Sequence, residues 1–291
     1  MPLRARLALL TAVFLWAVSF VATKVALEEA PPLVVVTLRL LISAACFLPW
    51  LVATGGTRGI DSKRMGRLFL LSLFGTSLHY GTQTIGLQYT TASNGSVYTT
   101  TGPITILLLS ALVLGERITV RKAIGVAVAV AGVLVVMGAE TLQSFEFGNV
   151  KGDLLILSSI VMWGMFTVFG KRMTDEMGAL RVTLWVTIIG AVTMIPIGLG
   201  EARATGFSIA SLSLSGWSAI AFLGIGCSFF ATLLYFVALK LTESQKVGVY
   251  LYAIPPVTAV VAAFYLGEVI TLNLIVGAVL VIAGVALTER G

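Results

Sequence analysis

Apolar residues run through this chain in blocks of about twenty, each closed by a short polar or glycine- and proline-containing stretch. The blocks fall near 7–27, 33–53, 67–87, 93–114, 122–139, 152–170, 180–199, 216–238, 247–266 and 272–288. Most match the ~20 residues that a helix needs to cross hydrocarbon. Turn signals separate them: Pro31-Pro32, Gly55-Gly56, Thr90-Thr91, Gly115-Glu116 and Gly267-Glu268. The pattern predicts ten transmembrane helices joined by short connections, with no soluble domain left over.

The fourth and fifth blocks are written again as the ninth and tenth. Tyr98, Pro103, Gly115-Glu116, Thr119, Gly125 and Gly132 recur as Tyr250, Pro255, Gly267-Glu268, Thr271, Gly277 and Gly284, every pair 152 positions apart. Each copy reads as an apolar helix broken by a mid-helix proline, a Gly-Glu turn, and a second helix with glycines seven apart. Trp16 and Lys24 match Trp163 and Lys171 at a separation of 147, which puts a five-residue insertion before the eighth block, around 201–215. One register held over so many positions is an internal duplication. Five helices per copy is an odd number, so the second copy inserts upside down. The expected architecture is an all-α membrane protein, ten transmembrane helices in two inverted five-helix repeats, residues 1–146 and 147–291.

Composition agrees. Hydrophobic residues make up 58% of the 291 and charged residues 11%, whereas a soluble domain carries roughly 25% charge. The formal net charge is +6, but the basic residues gather at block ends rather than on one helical face, which argues against a nucleic-acid partner. Fifteen of the nineteen Lys and Arg lie on one alternating set of connections together with the termini. By the positive-inside rule both termini are cytoplasmic. The first block is too long for a signal-peptide core and reads as a retained span. Cys46 and Cys227 fall in apolar runs and read as small buried hydrophobes, with no disulfide and no metal.

The run Leu15-Trp16 … Lys24, Leu38-Arg39, Pro103 … Leu114-Gly115-Glu116-Arg117 … Gly125 … Ala131-Gly132 resembles the EamA pattern of the drug/metabolite transporter superfamily. The second half carries the same ending, Pro255 … Leu266-Gly267-Glu268 … Gly277 … Ala283-Gly284. Within the superfamily the chain is most similar to the bacterial aromatic amino-acid exporters. The resemblance implies a multi-pass protein of the bacterial inner membrane that exports small metabolites by alternating access.

Polar groups inside spans are costly and mark candidate sites. Lys24 and Arg39 lie toward the non-cytoplasmic half, where they suit a carboxylate or phosphate. Alternatively Lys24 snorkels to the surface and Arg39 braces carbonyls or a helix end. The single histidine, His79, shares a helical face with Gln83, and Tyr80 stands beside it. In the second copy these positions become Ala231, Tyr235 and Thr232, so this polar group is an asymmetric feature of a symmetric scaffold. Asn94, Tyr98 and Thr101 share a face in the fourth block, and Tyr250 is the repeat partner of Tyr98. Trp16 with Ser19 and Thr23, and Trp163 with Phe166 and Thr167, sit near mid-span, where they suit either a flat apolar cargo or plain core packing. Pro103 and Pro255 are candidate hinges. The paired glycines and Glu116 and Glu268 read as architecture.

Absences narrow the function. The chain has no Walker-type loop, no Asp or Glu in mid-span, and no Ser-His, Cys-His or paired-carboxylate arrangement that would suggest an intramembrane enzyme. Positive rather than negative intramembrane charge favours zwitterionic or anionic cargo over cationic drugs. The expected function is export of amino acids, aromatic ones included, and related metabolites, without a cofactor, either as a facilitator without ion coupling or with proton coupling through His79. An organic-anion or sugar-phosphate exchanger using Lys24 and Arg39 is the alternative. The expected partners are a small-molecule substrate and the lipid bilayer, and a monomer is compatible with the pattern.

Overall fold

The computed structural model describes residues 1–53, 55, 60–89, 96, 98–143, 150–266 and 272–291. The apolar blocks become helices. They are α1 (Leu3–Glu29), α2 (Pro32–Ala53), α3 (62–88), α4 (Thr101–Leu114), α5 (Val120–Gln143), α6 (Val150–Met177), α7 (Ala179–Thr205), α8 (Leu214–Leu241), α9 (244–266) and α10 (Leu272–Glu289). Among the described residues five helices are long and apolar enough to cross a membrane: Leu3–Glu29, Pro32–Ala53, Leu154–Met177, Ala179–Thr205 and Leu214–Leu241.

Local chemistry sets the ends. Helix α3 starts at Ser62, ahead of the apolar block, because the Asp61 carboxylate accepts the backbone N–H of Arg64 at 2.7 Å and so satisfies one orphan donor of the first turn. Helix α4 stops at Gly115, whose left-handed backbone (φ 69°) carries no Cβ penalty. Three span-end carboxylates cap helices other than their own. Glu201 accepts from Leu33 N and Val34 N at the start of α2 (2.7 and 2.9 Å). Glu29 accepts from Ser213 N and Oγ just before α8 (2.7 and 2.6 Å). Glu116 accepts from Ser244 N and Gln245 N at the start of α9 (2.8 and 3.1 Å). Each places negative charge at the positive end of a helix dipole.

The expected mid-helix kinks at Pro103 and Pro255 are not what forms. A turn at Thr99–Thr100 precedes α4, and Pro103 is its third residue. A 3₁₀ turn (Val249–Ala253) divides α9, and Pro255 is the second residue of the segment Ile254–Leu266. A first-turn N–H has no intrahelical acceptor, so proline is accommodated there without losing a bond. The prolines inside helices are instead Pro49 of α2 and Pro196 of α7, themselves 147 positions apart.

Helices α3 and α8 each contain a π-helical stretch, Leu73–Leu78 and Phe222–Ala231. Shifted by 152, the first of these falls within the second. Packing follows a paired scheme: α1 lies on α8 and α9, and α6 lies on α3 and α4, while α2 packs with α7 and α5 with α10. Glycines let α5 and α10 approach backbone to backbone. A Cβ on Gly132 would lie 2.7 Å from Val281 N, and one on Gly284 would lie 2.5 Å from Gly125 O. Interior hydroxyls bind carbonyls of neighbouring helices, as Ser72 Oγ does to Val186 O (2.7 Å) and Thr37 Oγ1 to Met194 O (3.0 Å). Large apolar side chains such as Phe74, Phe169, Leu112 and Ile282 face outward, as the lipid-facing surface of a bundle requires. The protein is a multi-pass, all-helical membrane protein.

Candidate functional site

Residues of six helices line one central cavity of about 50 Å³. Helix α1 brings Trp16, Ser19 and Phe20, which share a face at helical spacing. The hydroxyls on that helix serve their own backbone, Ser19 Oγ donating to Trp16 O (2.6 Å) and Thr23 Oγ1 to Ser19 O (2.7 Å), which is how a polar residue is tolerated in a span. Helix α3 contributes His79, Tyr80 and Gln83 immediately after its π stretch. π-Bulges are frequent at functional sites, where the wide turn re-aims the residues that follow.

Aromatic rings form the wall. Trp16 and Trp163 meet edge to face with centroids 5.0 Å apart. Tyr235 packs beneath both, 5.1 Å from Trp16 and 5.4 Å from Trp163. The His79 ring lies 5.0 Å from those of Trp163 and Tyr80. His79 Nδ1 stands 2.8 Å from the carbonyl oxygen of Ser159. A carbonyl can only accept, so Nδ1 carries the proton, and in the neutral imidazole Nε2 is the acceptor.

Opposite the rings stands Arg39 of α2, only 3% exposed. Its Nε donates to Ser228 Oγ at 2.9 Å, and its guanidinium carbon sits 4.1 Å from the centre of the Tyr80 ring. The cation–π contact offsets part of the cost of burying the charge. Among the described residues no carboxylate forms an ion pair with Arg39, and none lines the cavity. A buried charge without an ionic partner is expensive, and a carboxylate or phosphate arriving from outside would supply one.

The sequence-derived candidates therefore divide. Trp16, Arg39, His79, Tyr80, Gln83 and Trp163 line the cavity. Tyr235 is fully buried behind the tryptophans, its hydroxyl 3.0 Å from Thr167 Oγ1. Tyr98 is buried but does not reach the lining, and Lys24 lies outside it, half-buried. Tyr250 turns away, donating its hydroxyl to Glu289, which also pairs with Arg6 at 2.6 Å. Asn94 lies outside the described residues. Lining residues that the sequence reading passed over include Phe20, Thr99, Gly102, Ile160, Leu251 and Ile254. The repeat register carried a signal for four of them. Thr99 and Leu251 are 152 apart, as are Gly102 and Ile254, so residues at the spacing of the repeated motif meet in one cavity.

The EamA-like transporter family model matches the chain twice, over residues 3–138 and 150–290. The chain belongs to this family. An uncharacterized transporter of Archaeoglobus fulgidus is 30% identical over 287 residues, covering 98% of this chain and 97% of its own length. The uncharacterized transporter YvbV of Bacillus subtilis is 30% identical over 297 residues, covering 98% and 92%. A protein of known crystal structure superimposes with a TM-score of 0.78 at 22% identity, over 98% of this chain and 96% of that one, which shows a shared fold. This EamA-like protein is a membrane transporter of the drug/metabolite type.

Proposed function

We propose that this EamA-like transporter exports amino acids, aromatic ones included, and related carboxylated metabolites across the bacterial inner membrane. The observation that carries the reading is Arg39, a buried cation with no ionic partner among the described residues, facing a wall of aromatic rings. A substrate carboxylate takes the guanidinium, where a charged hydrogen bond is about twice as strong as a neutral one. An apolar side chain lies against Trp16, Trp163 and His79. Ser19, Gln83 and Thr99 offer acceptors for an ammonium.

The mechanism is alternating access between two inverted five-helix repeats, residues 1–146 and 147–291, with both termini cytoplasmic. Three observations support it: the paired packing of α1 with α8 and α6 with α3, the π stretches in register, and repeat-related residues sharing one cavity. Along α1, α3 and α6 the lining extends from Trp16, His79 and Trp163 toward Ser19, Gln83 and Ile160, the side away from the termini. On the other side Tyr235, Phe166 and Phe236 are fully buried. That asymmetry supports an outward-open state.

Reconstituted protein would be tested for uptake of labelled phenylalanine, threonine and a sugar phosphate, with and without a pH gradient. Saturable amino-acid uptake without a gradient is expected. A second reading, an organic-anion or sugar-phosphate exchanger, is favoured by the acid-free lining of the cavity. It predicts sugar-phosphate entry only against preloaded counter-substrate, with the amino acids remaining outside.

A further inference from the structure

We infer that an anionic phospholipid occupies a groove between α3 and α6, with its headgroup on Arg67 and Arg172 and an acyl chain along the apolar cleft. The inference rests on the chain being membrane-embedded and is independent of the cargo.

The groove is separate from the central cavity. Its volume is about 410 Å³, and it is walled by Leu70, Phe74, Met165 and Phe169. Leu70, Phe74 and Phe169 are 55%, 38% and 44% exposed, so the cleft opens sideways on a surface that faces hydrocarbon rather than water. Its floor is Phe166, seated directly over Gly75, where a Cβ would overlap the ring. In an apolar bilayer a cleft of this size takes up an acyl chain.

Charge at one end selects the headgroup. Arg67 and Arg172 both line the mouth. Arg67 forks onto Glu176 through both terminal nitrogens (3.0 and 2.9 Å), which cancels one charge and leaves its buried Nε without an acceptor. Arg172 is exposed and forms no ion pair among the described residues. Arg64 and Arg172 also act on Glu176 electrostatically, and Asp61 acts on Arg67, so three arginines stand with two carboxylates at this end of the groove. Basic pockets between transmembrane helices, sitting over an apolar cleft, recognise phosphate-bearing lipid headgroups. The Phe166 ring also touches Trp163 of the central cavity, at 5.2 Å, so a lipid in the groove abuts the wall of the transport site.

Native mass spectrometry of the purified protein, titrated with phosphatidylglycerol or with phosphatidylcholine of the same chains, reads the site. The wild type should retain phosphatidylglycerol in preference to phosphatidylcholine. Arg172→Gln should weaken phosphatidylglycerol retention roughly fivefold, the worth of one basic residue at an anionic surface, and leave phosphatidylcholine unchanged. Leu70→Trp, which fills the cleft at an exposed position, should reduce retention with every arginine intact. Equal retention of the two lipids by the wild type, or unchanged phosphatidylglycerol retention in both variants, would overturn the assignment. Glycerol phosphate should not compete, since it lacks the chain.

Discussion

Trp16 and Trp163 meet at 5.0 Å with their ring planes at 86°, although they stand 147 positions apart in the sequence. Two tryptophans from distant parts of the sequence thus touch at the cavity they both line. The contact joins α1 to α6 where the cavity ends, and Tyr235 packs against both rings. Edge-to-face pairs of this kind contribute about 0.5–1.5 kcal/mol beyond their burial.

Replacing Trp163 by Ala should therefore weaken transport of phenylalanine more than that of threonine. Loss of one stacking wall corresponds to roughly a three- to tenfold rise in KM for the aromatic substrate. Competition between the two amino acids in proteoliposomes measures it, and an equal change for both would show that the rings pack the core without contacting cargo.

Arg39→Lys keeps the positive charge but removes the planar fork and the Nε–H that holds Ser228 Oγ. Affinity for phenylalanine should fall by about tenfold or more, as for a lost charge-assisted hydrogen bond. Phenethylamine, which lacks the carboxylate, should be affected little. Binding measured by tryptophan fluorescence for the two ligands separates these outcomes, and a parallel loss for both would remove Arg39 from carboxylate recognition.

The α5–α10 contact tolerates no side chain at its crossing points, where a Cβ on Gly132 would come within 2.8 Å of Gly277 O. Gly132→Leu should destabilise the protein by about 1–3 kcal/mol or more, the cost of overpacking, and lower its Tm in detergent. Gly66, with open space around it, supplies the control: Gly66→Ala should leave Tm unchanged or slightly raised.

Lys122 is nearly fully buried and bridges the start of α5 to the segment before α9, its Nζ donating to Arg117 O (3.0 Å) and Glu243 Oε2 (2.5 Å). Partial burial pushes the Glu243 carboxyl up, but the bond from Lys122 and the charges of Lys122, Lys246 and Lys171 outweigh this and hold it below the usual carboxylate range. A carboxyl lowered on folding stabilises the protein above its unfolded pKa of about 4.3, and that stabilisation is lost as pH falls through the folded value. The Tm of the wild type should thus decline as pH drops below about 5, and Glu243→Gln should flatten that decline. At neutral pH the same variant should cost about 1 kcal/mol, because Lys122 keeps an amide acceptor but loses a charged one that solvent already screens in part. An unaltered pH profile in Glu243→Gln would show that other carboxylates govern acid stability.

Hydrophobic block length and repeat register carried much of this protein in the sequence alone. A span must satisfy its backbone internally, so twenty apolar residues in water-excluding surroundings have one outcome, a helix. Tyr, Pro, Gly-Glu and Gly recur at one spacing along the chain, and apolar spans interrupted by His79, Arg39, Trp16 and Trp163 pointed at the cavity they line. Only the tertiary structure decided which polar groups meet. Tyr250 and Tyr98 carry the same side chain at equivalent positions, yet Tyr250 is drawn to the Glu289 carboxylate and neither lines the cavity. The prolines lie in first turns, since the preceding turns make their missing N–H harmless. Ser228 meets Arg39 across 189 positions, and the lateral groove joins side chains of two distant helices. Pairings of that kind depend on how helices dock, which a single helix's periodicity does not encode.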